Sequence, residues 1–138
     1  MPTRWPWPTF VVELMGAGAS FVAAQGGDLS APLAIGAHSE RVLAPTGGVM
    51  GDIAAMAGAM AAWRLGAGRA GPGDPVQPGA GVQIHRRPGE PVAAGDTLFT
   101  LYTDTPERLA PALAELDGGW IIGLRAPTLG PLIIDRIG

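Results

Sequence analysis

The stretch PGEPVAAGDTLFTLYT, Pro88–Thr103, carries two glycine turns, with Val92 between them, and then a strand around Leu98–Tyr102. The residues before it, GVQIHRR, alternate: Val82 and Ile84 point to one side of a predicted strand, and Gln83 and His85 point to the other. Alternation of this kind is typical of a half-buried strand that turns at the following proline and glycine. This part of the chain therefore predicts short strands joined by tight turns.

Outward from this region, the pattern changes to helices and further short strands. Apolar residues recur at helical spacing in Thr9–Gln25, in Ile53–Trp63 and in Thr105–Leu116. Asp52 stands where the N-cap of the second helix is expected, and Pro106 fits the first position of the third. Short strands are predicted at RVLAP, GVMGDI and WIIGL. The alternation of strands and helices without a β-α-β rhythm predicts an α+β fold, a small sheet or barrel-like sandwich with two or three helices.

Between the second helix and the strand at Val82 runs AAWRLGAGRAGPGDPV, Ala61–Val76. Its glycines could bring backbone N–H groups close to a phosphate. A dinucleotide fingerprint, however, has its glycines after a strand and before a helix, whereas here they follow a helix. We therefore predict that Gly66 and Gly68 cap a helix and begin a mobile loop. The alternative is a lid over another domain's site, with Arg64 or Arg69 making polar contacts there.

Composition excludes several chemistries. All nine basic residues are arginine and there is no cysteine, which excludes a phosphate-binding or Schiff-base lysine, a lysine carrying biotin or lipoate, thiolate catalysis and Cys-ligated metals. The two histidines have no carboxylate at metal-ligand spacing, so no metal and no cofactor are predicted. A net charge of −3 with scattered arginines argues against nucleic acid, and no apolar run is long enough to span a membrane. A cytoplasmic location is expected.

Three pieces of the chain follow one another in this order: AAWRLGAGR (Ala61–Arg69), DPVQPGAGV (Asp74–Val82) and PGEPVAAGDTL (Pro88–Leu98). In sequence and spacing they resemble the C-terminal domain of the thymidine and pyrimidine-nucleoside phosphorylases. FVAAQGGD, beginning at Phe21, is similar to the end of the helix that leads into this domain, and PLIIDRI is similar to its tail. The resemblance implies a barrel-sandwich or hammerhead fold for residues 40–123, preceded by a helix and linker at 1–39 and followed by a tail at 124–138.

The resemblance also implies a function. Members of this family catalyse reversible phosphorolysis, in which phosphate attacks the anomeric carbon of a pyrimidine nucleoside, and they act as homodimers. The family's phosphate loop, catalytic lysine and base-binding residues lie in earlier domains, so no catalytic residue is predicted here. We expect a fragment that reaches phosphate and nucleoside only through a missing catalytic domain or a separate catalytic chain. The alternative is a stand-alone interaction module, because GEPVAAGDTL also resembles the hammerhead of biotinyl and lipoyl domains.

Overall fold

A computed structural model describes residues 18–128, 130, 131, 133, 135 and 136. The chain divides into two units, one up to Leu33 and one from Ala34 onward. In the first unit, residues 18–24 are helical (α1), and the N–H of Gln25 donates to the carbonyl of Phe21 at 3.1 Å. Gly26 follows with φ +82°, which is the predicted left-handed helix stop. The predicted beginning of this helix at Thr9 lies outside the described residues.

The strands of the second unit are β1 (His38–Leu43), β2 (Gly48–Ile53), β3 (Gly81–Ile84), β4 (Pro91–Val92), β5 (Thr97–Thr103) and β6 (Trp120–Gly123). They form two three-stranded antiparallel sheets, with the strand orders β1-β5-β3 and β4-β2-β6. β5 is the central strand of the first sheet and is buried along nearly its whole length. Two sheets accompanied by separate helices confirm the predicted α+β class.

The helices of this unit are α2 (Ala55–Ala62) and α3 (Leu109–Leu116), and they pack against each other. A 3-10 turn, Pro106–Arg108, precedes α3 and places Pro106 at the predicted first position. The prediction of Asp52 as N-cap of α2 was wrong: β2 continues through Ile53, and the N-cap residue is Ala54. The N–H of Ala54 donates to the carbonyl of Gly119 at 2.7 Å. This bond joins the N–H of the N-cap residue to the segment before β6, and no side chain among the described residues caps the helix.

The buried face of α2 also differs from the prediction. Met56 is one of the apolar residues at helical spacing in Ile53–Trp63 and is expected on the buried face, but it is 69% exposed, whereas Ala61 and the following Leu65 are completely buried. α2 has the sequence AMAGAMAA and is apolar on every side, so periodicity gives no basis for choosing a face. Contacts with α3 and the sheet decide it.

The core of the second unit gathers side chains from both sheets and both helices. Its largest buried members are Phe99, Met50, Leu65, Leu98, Leu101 and Leu116. The Phe99 ring lies 6.1 Å from that of Trp120, centroid to centroid, at an interplanar angle of 54°. Such tilted pairs contribute beyond the area they bury.

The two glycine turns predicted around Val92 have the same hydrogen-bonding pattern. In Arg87–Glu90, the acidic side chain accepts the N–H of the first residue, and the last N–H donates to the first carbonyl; Ala93–Asp96 repeats both bonds. Each turn is then held by two backbone bonds to a residue upstream, Met50 for the first and Ala44 for the second. Gly89 and Gly95 have φ of +91° and +87°, the region that favours glycine in turns. The repeated turn thus fixes both upstream segments.

The second turn provides an acid-dependent prediction. The N–H of Ala93, and secondarily the Arg86 guanidinium at 3.2 Å, hold the pKa of Asp96 below its ordinary value. Because the folded pKa is lowered, the stabilisation is complete above the unfolded pKa and is lost as the pH falls through the folded one. We expect Asp96→Asn to melt at a lower temperature than the unaltered chain at pH 7. Below about pH 4 the difference between the two melting temperatures should become smaller. Thermal melts between pH 2.5 and 7 would measure this, and a gap independent of pH would contradict it.

Candidate functional site

The segment after α2 closes the helix instead of opening one. Trp63–Ala67 form a single π-helical turn, inside which Gly66 has φ +108°. The carbonyl of Gly66 accepts the N–H of Gln77 at 2.9 Å. Gly66 and Gly68 therefore follow the helix, in the order that argued against a dinucleotide cradle.

The loop that follows is fastened at its far end by the side chain of Gln77. Its Oε1 accepts the N–H of Asp104 at 2.8 Å, and its Nε2 donates to the hydroxyl of Thr105 at 2.9 Å. The Thr103 hydroxyl lies 3.0 Å from the same Oε1 and 2.7 Å from the carbonyl oxygen of Leu65, to which it donates. The amide of one glutamine thus joins the loop to the end of β5 and, through Thr103, to the turn after α2.

Arg64 is engaged within the domain. Its Nε donates to Oε1 of Glu115 on α3 at 2.9 Å, and its guanidinium lies 5.0 Å from the centre of the Trp63 ring. Its backbone carbonyl accepts a bond from Arg108 at 3.3 Å. Both side chains of the ion pair are partly exposed, so the pair contributes about 1 kcal/mol or less. Arg64 connects α2 to α3.

Arg69 differs from Arg64 because its guanidinium is exposed and makes no hydrogen bond or ion pair with the part of the chain that is described. Its backbone is fixed, since its carbonyl accepts the indole N–H of Trp63 at 3.1 Å. Gly68 permits this approach: a Cβ there would lie 2.9 Å from Cδ1 of Trp63. The Arg69 guanidinium therefore has no partner among the described residues, while the backbone that carries it is held in place by Trp63.

A groove of about 470 Å³ lies between the loop and the start of α3. It is lined by Trp63, Arg64, Gly68, Ala70, Asp74, Pro75, Glu107, Arg108 and Pro111. Two arginines face two carboxylates, so the groove has no excess positive charge that would hold inorganic phosphate. Among the described residues, no group of three or more histidine or acidic side chains could hold a metal ion. The groove therefore suits contacts with polar groups of a partner.

The four site residues predicted from the sequence lie together around one turn: Arg64, Gly66, Gly68 and Arg69. Gln77 and Thr103 were not predicted. Their contacts join residues that are 26 to 38 positions apart in the chain, so no local pattern indicates them.

In the described residues, no helix is long and apolar enough to cross a membrane.

Comparisons with known proteins agree on one family. Residues 49–123 match the pyrimidine nucleoside phosphorylase C-terminal domain. The chain is 66% identical over 116 residues to thymidine phosphorylase of Mycobacterium tuberculosis, a match covering 84% of this chain and 27% of the relative. It is 38% identical over 104 residues to AMP phosphorylase of Natronomonas pharaonis, covering 73% and 19% of the two chains. Against thymidine phosphorylase of Mus musculus it is 30% identical over 90 residues, covering 65% and 19%.

These matches confirm the resemblance inferred from the three sequence pieces. The chain spans about a quarter of the length of the M. tuberculosis relative.

Proposed function

The chain belongs to the pyrimidine nucleoside phosphorylase C-terminal domain family, and we propose that it serves as the non-catalytic closing domain of a thymidine phosphorylase-like enzyme. The observation that carries this proposal is the loop after α2, which presents at its surface an Arg69 guanidinium that has no hydrogen-bond or ion-pair partner among the described residues. The chain contains no lysine, and its groove holds no charge excess for phosphate. Phosphate and nucleoside would be bound by a catalytic part of the enzyme.

Closure of such a domain has a physical role in phosphorolysis. The attacking phosphate is anionic and the sugar gains positive charge as its bond to the base breaks, so water near the reacting atoms would weaken the electrostatic stabilisation. A domain that closes over the site excludes this water and orients the reactants. A loop whose backbone is held by Gln77 at one end and by Trp63 at the other presents Arg69 in a defined place for that task.

The finer architecture and the setting belong to the same proposal. The two three-stranded sheets with their repeated glycine turns fit a barrel-sandwich hybrid at residues 40–123, with 1–39 as the remnant of a preceding domain and 124–138 as a tail. A cytoplasmic, homodimeric enzyme of pyrimidine nucleoside metabolism is the corresponding setting.

Arg69 tests the proposal. In a chimera where this chain replaces the matching 27% of the M. tuberculosis relative, we expect Arg69→Glu to lower kcat/KM for thymidine phosphorolysis roughly tenfold or more. The reason is that a charge-assisted contact across the closed interface becomes a repulsion. Steady-state kinetics with varied phosphate and varied thymidine would measure it.

The matched control is Arg87→Glu, the same charge reversal at an exposed arginine of the first glycine turn. It should leave the kinetics nearly unchanged. Equal kinetic parameters for the Arg69→Glu and unaltered chimeras would show that Arg69 has no role in phosphorolysis. An inactive chimera carrying the unaltered chain would overturn the proposed function.

A further inference from the structure

A second groove, of about 260 Å³, lies between α2, the end of β2 and β3, and its ten lining residues are all apolar. Ile53 and Ile84 lie on one side of it, and Ala55, Gly58 and Ala59 of α2 lie on the other. Ile84 is 53% exposed, and Met56, the residue after Ala55, is 69% exposed. We infer that this groove is the seat of an apolar segment of the catalytic part of the same polypeptide, an inference that rests on the proposed function.

The composition of α2 indicates that its exposed side is covered by a part of the protein outside this unit. The helix contains no polar or charged side chain, yet only Ala61 among its residues is fully buried. A helix that is apolar all round normally has neighbours on all sides. Within this unit α2 contacts α3, β3 and the turn that follows it, whereas Ala55, Met56 and Ala59 remain exposed, so this side of the helix lacks the contacts that its composition suits.

Gly58 gives a separate reason. A glycine inside a helix destabilises it relative to alanine because the unfolded glycine has more backbone freedom. Here nothing in the domain requires it, because a Cβ at Gly58 would meet no atom within 4 Å and its φ is not positive. A glycine is useful at this position when another backbone approaches the helix closely.

The number of residues that line the groove indicates which kind of occupant it suits. A stable interface between separate proteins uses roughly 20–30 residues on each side, which is more than the ten residues that line this groove. A second copy would thus gain too little area for a stable dimer here. A segment of the same polypeptide is held at high effective concentration and needs less. The M. tuberculosis relative extends well beyond the 27% that this chain matches, so such a segment has a source.

The absence of cysteine allows a direct test. Ile84→Cys, at an exposed residue that lines the groove, introduces a single thiol, whose alkylation by a maleimide is followed by mass spectrometry of the peptide that contains it. We expect rapid labelling in the isolated 138-residue chain and at least tenfold slower labelling in the active chimera. Leu43→Cys is the control: it is 48% exposed on β1, the opposite edge of the sheet from β3, and should label alike in both proteins.

Three results would overturn the inference. Equally fast labelling of Ile84→Cys in the isolated chain and in a chimera that still phosphorolyses thymidine would exclude the groove as the docking site and leave the proposed function standing. Protection that appears in the isolated chain as its concentration rises would assign the groove to a second copy. An inactive chimera would reject both the proposed function and this inference.

Gly58→Ala provides a second measurement in which folding is not at risk. In the isolated chain it should raise the melting temperature by roughly 3–6 °C, since alanine favours the helix and meets no neighbour. In the chimera the gain should vanish or reverse, because the added methyl group meets the docked segment. A gain of the same size in both proteins would contradict the inference.

Discussion

Replacement of Thr103 by valine will lower the free energy of unfolding by about 2–4 kcal/mol, although the two side chains have nearly the same shape. The Thr103 side chain is completely buried. Its hydroxyl donates to the carbonyl of Leu65 at 2.7 Å and accepts the N–H of Thr105 at 3.1 Å. Valine leaves both backbone groups without these partners, and each unsatisfied group costs about 1–3 kcal/mol. In a unit of this size the melting temperature should fall by roughly 10 °C or more.

The same substitution at Thr100 is the control. Thr100 lies in the same strand and is 6% exposed, but its hydroxyl bonds to Nε2 of His85 at 2.7 Å, and the partly exposed imidazole can bond to water instead. Thr100→Val should lower the free energy of unfolding by about 1 kcal/mol or less. Chemical denaturation measures both variants. Equal losses would show that the connection from Leu65 to Thr105 does not stabilise the unit.

Features set by neighbouring residues could be predicted from the sequence. The glycine turns on either side of Val92, the entry into α3 at Pro106 and the stop at Gly26 all depend on backbone conformations that glycine or proline favours locally. The helices and the strands other than the two-residue β4 could be predicted for the same reason, because each has its own periodicity or flanking turn residues. The α+β class follows from their order.

What the sequence did not predict depends on contacts between distant residues. Asp52 has the residue type of an N-cap, but pairing of Ile53 with Trp120 extends β2 past it. The exposed side of α2 could not be chosen because all its residues are apolar. At the candidate site, the sequence separated glycines that end a helix from glycines that cradle a phosphate. It did not indicate that Arg64 pairs with Glu115 while Arg69 has no partner in the described part of the chain, since that depends on where α3 packs.

Gly66→Ala should lower the free energy of unfolding by about 2–3 kcal/mol and release the loop that carries Arg69. Two effects combine. The φ of +108° is strained for any residue with a Cβ, and that Cβ would lie 2.9 Å from both Cδ and Nε2 of Gln77. The Gln77 amide then has to move from its bonds with Asp104 and Thr105. Hydrogen exchange of the Asp104 amide should accelerate under conditions where the rest of β5 stays protected.

Gly73→Ala separates these two effects, because Gly73 also has a positive φ, +86°, but a Cβ there meets nothing within 4 Å. It should cost about 1 kcal/mol from backbone strain alone and leave exchange at Asp104 unchanged. If both variants destabilise the unit equally and neither affects Asp104, the glycine at position 66 serves only its own backbone conformation. If Gly66→Ala alone accelerates exchange, the residue that ends the helix also keeps Gln77 in place, and the position of the Arg69 loop depends on both.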